Sequence, residues 1–180
     1  MGVQAHTDSV LFRQVLGHFC TGVTVITTVG PAGFACQAFS ALSLDPPLVT
    51  FCPGRASRSW RAIEREGHFA VNVLAESQQD VSRTFGTAGV DKFAGIGWSP
   101  AASGAPVLDG VLTWLTADVV AAHDGGDHLI VVGRVTELGP YRDGRPLLFH
   151  RGRYTSTAFV EGPPEAVDTL LAWPRHDDWI

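Results

Sequence analysis

Several residue types are scarce in this 180-residue chain, which has three Cys, one Met, two Tyr and, at Lys92, a single lysine among thirteen basic residues. Cys20, Cys36 and Cys52 are odd in number and form no CxxC pair, which argues against a disulfide framework and against a structural zinc site. They read instead as small, buried apolar residues. Charge is sparse too: 17% of residues carry it, and 18 acidic against 13 basic groups leave a formal net charge of -5. No global positive field is therefore present to recruit a nucleic acid backbone or an anionic membrane. The longest uncharged stretch, from Phe19 to Leu44, is broken by Thr, Ser, Gly30, Pro31, Gly33 and Gln37 and lacks the continuity of a membrane span. The N-terminus, with His6 and Asp8 ahead of its first apolar residues, lacks the basic, apolar and small-residue succession of a secretory signal. These absences predict a cytoplasmic protein that binds neither nucleic acid nor membrane. The GxGxxG, GxxxxGKS/T and GxSxG patterns are missing as well, which disfavours Rossmann, P-loop and α/β-hydrolase chemistry.

What is plentiful is apolar: 45% of the residues are hydrophobic, enough for one domain with its own core and too little chain for two. Ser9 is placed to cap a short helix in which Leu11, Val15 and Phe19 recur at four-residue spacing and Phe12 and Leu16 widen the stripe. From Gly22 to Val29 the period changes to two in a β-branched run, the mark of a strand. Gly30-Pro31-Ala32-Gly33 supplies a turn, and Phe34 to Leu44 reads as one returning strand ended by Asp45-Pro46-Pro47. A strand over Leu48 to Cys52, a helix from about Ser57 to Glu66 stopped by Gly67, and a strand from Phe69 to Leu74 follow. Ser77 with Asp80 marks the start of a short helix reaching Phe85. Gly86 to Leu108, rich in Gly and without period, reads as a long irregular excursion. Val111 to Ala122 and His128 to Leu138 are alternating segments joined by Asp124-Gly125-Gly126-Asp127, a strong hairpin signal, and a last strand runs from Leu147 to Phe159. Six or seven strands joined by hairpins, with only short flanking helices, predict a mainly β fold, an antiparallel barrel that is closed or nearly closed. The expected domain covers residues 1–160, with 161–180 as an extension holding a helix between Pro164 and Trp173 and a packed Trp179.

Two segments are equipped for chemistry. His123-Asp124-Gly125-Gly126-Asp127-His128 sets imidazoles beside carboxylates, which suits a metal ligand set or an acid–base pair. Ligands on a tight turn diverge and no HExxH accompanies them, so a plain polar hairpin stands ahead of either, and no metal is expected. Pro53-Gly54-Arg55-Ala56-Ser57-Arg58-Ser59 follows a strand and opens a helix with hydroxyls and guanidiniums. Free N–H groups at such a helix start make a phosphate cradle, and an ordinary capped helix with solvated arginines fits the residues equally well.

Five ordered motifs resemble one family. Gly33-Phe34-Ala35-Cys36-Gln37-Ala38-Phe39-Ser40-Ala41-Leu42-Ser43-Leu44-Asp45-Pro46-Pro47-Leu48-Val49, then Phe69-Ala70-Val71-Asn72-Val73-Leu74, Asp91-Lys92-Phe93-Ala94-Gly95, Gly126-Asp127-His128 and Gly152-Arg153-Tyr154 are similar to the short-chain flavin reductases. These supply reduced flavin to two-component monooxygenases. The likeness spans about Leu11 to Phe159 and is greatest to actinobacterial reductases partnered with aromatic and seco-steroid hydroxylases. The resemblance implies an FMN-binding split barrel, a homodimer, FAD or FMN and NADH as cofactors, and a flavin-dependent monooxygenase as recipient of the reduced flavin. Carried over by position, Ala35, Cys36, Gln37, Ala38, Phe39 and Ser43 would line the isoalloxazine and ribityl chain. Ala56, Ser57 and Arg58 would hold the phosphate, and Thr84 and Phe85 would touch the outer part of the flavin. His128, Arg151, Gly152, Arg153 and Tyr154 would surround NAD, with His128 positioning the nicotinamide as the catalytic candidate. Many relatives have Asn-Ser where this chain has Gln37-Ala38, which removes a side-chain hydroxyl from the flavin's surroundings or leaves backbone N–H in its place. The resulting expectation is direct hydride transfer from NADH to a bound flavin. A flavin- or haem-binding module without turnover, and metal-assisted hydrolysis at His123, Asp124, Asp127 and His128, are the rival readings.

Overall fold

The computed structural model describes residues 8–158 of the chain. The expectations for Phe159, Val160 and the 161–180 extension, including its helix and Trp179, lie outside the described residues. The elements in order are α1 (Ser9–Leu16), β1 (Thr21–Gly22), β2 (Thr24–Thr28), β3 (Ala32–Cys36), β4 (Phe39–Leu44), β5 (Pro47–Phe51), α2 (Arg58–Glu66) and β6 (His68–Val73). They continue with α3 (Gln79–Gly86), β7 (Trp98–Pro100), β8 (Pro106–Leu108), β9 (Thr113–Gly125), β10 (His128–Leu138), β11 (Leu148–His150) and β12 (Arg153–Thr155). Every ladder among them is antiparallel, so the fold is mainly β with three short helices.

Seven strands form the main sheet in the order β3-β2-β6-β9-β10-β5-β4. The two edge strands, β3 and β4, are consecutive in the chain, and only Gln37 and Ala38 separate them. Two residues reach no more than about 10 Å from the last Cα of one strand to the first of the next. The sheet must therefore curl enough to bring the end of β3 near the start of β4. Each of the seven strands sends a side chain into one core cluster: Ile26, Phe34, Phe39, Phe51, Phe69, Ala117 and Val131. Trp60 and Ile63 of α2 pack into the same cluster. No ladder pairs β3 with β4 among the described residues.

A second cluster, with Val25, Leu74, Phe85, Leu108 and Leu147, covers the other face of β2 and β6. This explains why β2 is buried at all five positions instead of alternating. Asn72 ties this layer together. Its side chain is fully buried, donates to Val25 O at 3.2 Å, Thr27 Oγ1 at 3.1 Å and Pro106 O at 3.3 Å, and accepts from Leu108 N at 2.8 Å. The small sheet of β1, β11 and β12 continues from this layer through Leu147 N to Leu74 O and Val23 N to Leu147 O, at 2.9 and 3.0 Å.

Several expectations change. The cap of α1 is Asp8, which accepts from Val10 N at 2.8 Å, so Ser9 is its first helical residue. None of the residues in α1 is buried, and its apolar stripe faces outward. The run from Phe34 to Leu44 is two strands on opposite edges of the sheet, because the chain turns the corner at Gln37-Ala38. The 86–108 excursion contains the β7–β8 hairpin, whose three-residue strands are too short to leave a period. The Leu147–Phe159 run folds back at Arg151-Gly152, both with positive φ (50° and 77°), the geometry of a tight hairpin turn, to give β11 and β12. Of the cysteines, Cys36 is buried, Cys52 half-buried and Cys20 exposed.

Candidate functional site

Helix α2 starts as its sequence dictates. Ser57, in extended conformation, accepts from Trp60 N at 3.2 Å, and Gly67 ends the helix in the left-handed region at φ 74°. The amides of Arg58 and Ser59, at the first two helical positions, have no intrahelical partner by construction. That helix start opens on a cleft of about 760 Å³ between β3, the end of α3 and the segment through Phe93. Ser59 Oγ donates to Gly33 O at 2.7 Å and so fastens α2 to β3. Lys92 Nζ donates to the same oxygen at 3.1 Å and to Phe85 O at 2.9 Å. An ammonium has three N–H groups, so one remains for a further acceptor. Burial among these groups pushes the Lys92 pKa below its ordinary value. Gly33 has no room for a side chain: a Cβ there would lie 2.8 Å from Ile26 O and 2.9 Å from Phe85 Cε1.

Of the residues expected around a flavin, Ala35, Ala56, Ser57, Arg58 and Phe85 line this cleft together. Cys36, Gln37, Ala38, Phe39, Ser43 and Thr84 are not among its lining residues. Cys36 points into the core, where burial pushes its thiol up to about 11, and Phe39 packs against the same cluster. Gln37 and Ala38 form the corner between the edge strands, Ser43 lies on β4, and Thr84 precedes Phe85 on α3.

The residues expected around NAD fall into two groups. Arg151, Arg153 and Tyr154 line a second cleft of about 490 Å³, with Gly152 at the tip of their hairpin. Tyr154 Oη lies 3.0 Å from Ser82 Oγ, and the Arg83 guanidinium sits 5.7 Å from its ring centre. His128 is elsewhere, at the start of β10, where it pairs with Gly54 in an isolated bridge and Leu129 N donates to Pro53 O at 2.9 Å. The loop before α2 thus carries His128 on its flank. His128 Nδ1 lies 2.8 Å from Asp127 Oδ1, and this hydrogen bond, with the attraction of the imidazole, holds the Asp127 carboxyl below its usual range. Asp124 is engaged by Arg55. Among the described residues no three His, Cys, Asp or Glu side chains cluster to hold a metal, and no helix is long and apolar enough to cross a membrane.

Sequence reasoning counted Ser59 among the cradle hydroxyls but gave no role to Lys92 or to the wall from Gly86 to Val90. The only signals were a lone lysine in an arginine-rich chain and the Asp91-Lys92-Phe93 motif.

Residues 16–158 match the model of the flavin reductase like domain. The reductase subunit HsaB of a flavin-dependent monooxygenase from Mycobacterium tuberculosis is 49% identical over 187 residues, covering 99% of this chain and 100% of that protein. Among solved structures, nitrilotriacetate monooxygenase component B from Mycobacterium thermoresistibile has a TM-score of 0.83 at 55% identity, covering 88% of this chain and 91% of that one. The NADH:FAD oxidoreductase SgcE6 of Streptomyces globisporus C-1027, solved with NAD and FAD fragments, has a TM-score of 0.80 at 34% identity, covering 88% and 95%. A family match over most of the chain, joined to a capped helix start that opens on a roomy cleft, leads to one statement: the chain belongs to the flavin reductase like family.

Proposed function

We propose that this protein is an NADH-dependent flavin reductase that reduces FAD or FMN and releases the reduced flavin to a partner flavin-dependent monooxygenase. The observation that carries the reading is the near end-to-end likeness to a monooxygenase reductase subunit. The chain's own residues fit the group it would hold. A volume of about 760 Å³ lies within the roughly 300–1,000 Å³ usual for small-molecule sites. The start of α2 and the Arg58 guanidinium suit a phosphate, and Ala35, Ala56 and Phe85 offer apolar walls. The flavin, when bound, supplies a two-electron acceptor for hydride, and no protein nucleophile is needed.

The protein's share of the work is therefore binding, orientation and exclusion of water. Asp127 Oδ1, 2.8 Å from His128 Nδ1, holds the direction of the imidazole ring. His128 then orients the nicotinamide, and Arg151, Gly152, Arg153 and Tyr154 take up the rest of the dinucleotide. Gln37 and Ala38, with the backbone of Cys36 and Phe39, approach the isoalloxazine from the corner between the edge strands, Ser43 from β4 and Thr84 from α3. The curled seven-stranded sheet is a split barrel in this reading. The protein works as a homodimer, which gives the bare apolar stripe of α1 a partner, with Val10, Leu11, Phe12, Val15 and Leu16 each more than half exposed. The reading puts it in the cytoplasm, the compartment that holds NADH.

The test follows NADH absorbance with purified protein while FAD, FMN and riboflavin are supplied in turn, and repeats it with NADPH. The expected result is NADH consumption that depends on added FAD or FMN, from a protein that sediments as a dimer. NADH left unoxidised with every flavin would leave only a binding module and would overturn the reading.

A further inference from the structure

The tip of the β9–β10 hairpin is not free. Arg55, the residue just before the phosphate cradle, grips it at three points. Its backbone N donates to Asp127 O at 3.1 Å, its Nε donates to Gly126 O at 2.7 Å, and its guanidinium pairs with Asp124. Leu129 N to Pro53 O and the Gly54–His128 bridge extend the same seam by two residues. An isolated surface ion pair contributes little. This one differs because Arg55 holds a backbone carbonyl and a carboxylate with the same planar group, which fixes direction as well as distance. Gly126, with φ at 81°, makes the turn tight, and Asp127 adjoins His128, so the grip lies one to four residues from the imidazole.

We propose that Arg55 is a positioning residue for the dinucleotide: it clasps the hairpin tip to the cradle loop so that His128 is held in place before NADH arrives. The proposal rests on the reductase reading. Arg55 is turned to the hairpin tip and does not line the cleft, and Ser57 caps α2 without it, so loss of the clasp spares flavin binding and weakens NADH binding.

The experiment compares Arg55→Met, Asp124→Asn, His128→Ala and the Arg55→Met/His128→Ala double variant with the wild type. Arg55→Met is expected to raise KM for NADH by about fivefold, in line with the net worth of one typical intramolecular hydrogen bond. The flavin dissociation constant, read from fluorescence quenching, stays within about twofold, the scatter expected where no contact is lost. Asp124→Asn shifts KM in the same direction and serves if Arg55→Met does not fold. Hydrogen exchange at Gly126 to Leu129 speeds up in both variants, independently of turnover. In the double variant, Arg55→Met adds nothing to His128→Ala, because the clasp acts through that imidazole. An active wild type with Arg55→Met unchanged in KM and exchange would overturn the clasp alone, as would full additivity in the double variant. A wild type that consumes no NADH would overturn the reductase reading and the clasp with it.

Discussion

Ser57 and Arg58 are neighbours in one cleft with separable duties. Ser57 closes the first turn of α2 on Trp60 N, whereas Arg58 has no structural partner among the hydrogen bonds and ion pairs of the described residues. Arg58→Ala is therefore expected to weaken FMN and FAD binding by about tenfold, the scale of one charge-assisted contact, while riboflavin, which has no phosphate, binds as before. Equal loss for all three flavins in a fluorescence titration would remove the phosphate from Arg58. Both residues were legible because capping has a local grammar, with a hydroxyl before the helix and a glycine after it. Lys92 was not. Its meaning comes from Gly33 O and Phe85 O, which lie 59 and 7 positions away and meet it only once the chain is folded.

Elements show where periodicity succeeds and where it misleads. Helix α2, β6 and β10 are found close to their expected bounds, α2 and β10 because each has one buried face, and β6 because its apolar run is bounded by Gly67 and the polar residues after Leu74. The Phe34–Leu44 run misleads because both of its halves are strands, and nothing apolar or polar marks the corner at Gln37-Ala38. The β7–β8 hairpin is held by Asn72 and Thr27, on other strands, and no reading of the 86–108 segment alone could reveal that. Asn72→Ala removes three donor contacts and leaves Leu108 N without its buried acceptor. The expected cost is about 2–4 kcal/mol, measured by denaturant unfolding. Proteolysis should then fall first between Gly86 and Leu108, since that segment loses its tie to β6. Nicking elsewhere first would show that the hairpin is anchored by other means.

The whole molecule is held together at places where sheets meet. Glu76 and Arg145 pair at 2.7 and 2.8 Å beside the Ala75–Pro146 bridge, where the small sheet joins β6. The hydrogen bond from Arg145 holds the Glu76 carboxyl below its ordinary 4.5. A carboxyl depressed in the folded state stabilises above its unfolded value and loses that contribution as pH falls through its folded one. Stability should therefore decline below pH 4.5 more gently in Glu76→Gln than in the wild type, as read by thermal melts across pH 3 to 7. Parallel decline in both would assign acid sensitivity elsewhere. The overall class was legible from hairpins and strand count. The strand order was not, because it depends on which edges find each other in space.

The corner at Gln37-Ala38 has a mechanical meaning. A sheet whose first and last strands are joined by a short tether, with no ladder between them, has one seam that can gape while every other junction must unzip. Thermal breathing should concentrate along that seam, and the sulfur of Cys36, sealed just inside it, is a natural clock for how often the wall parts.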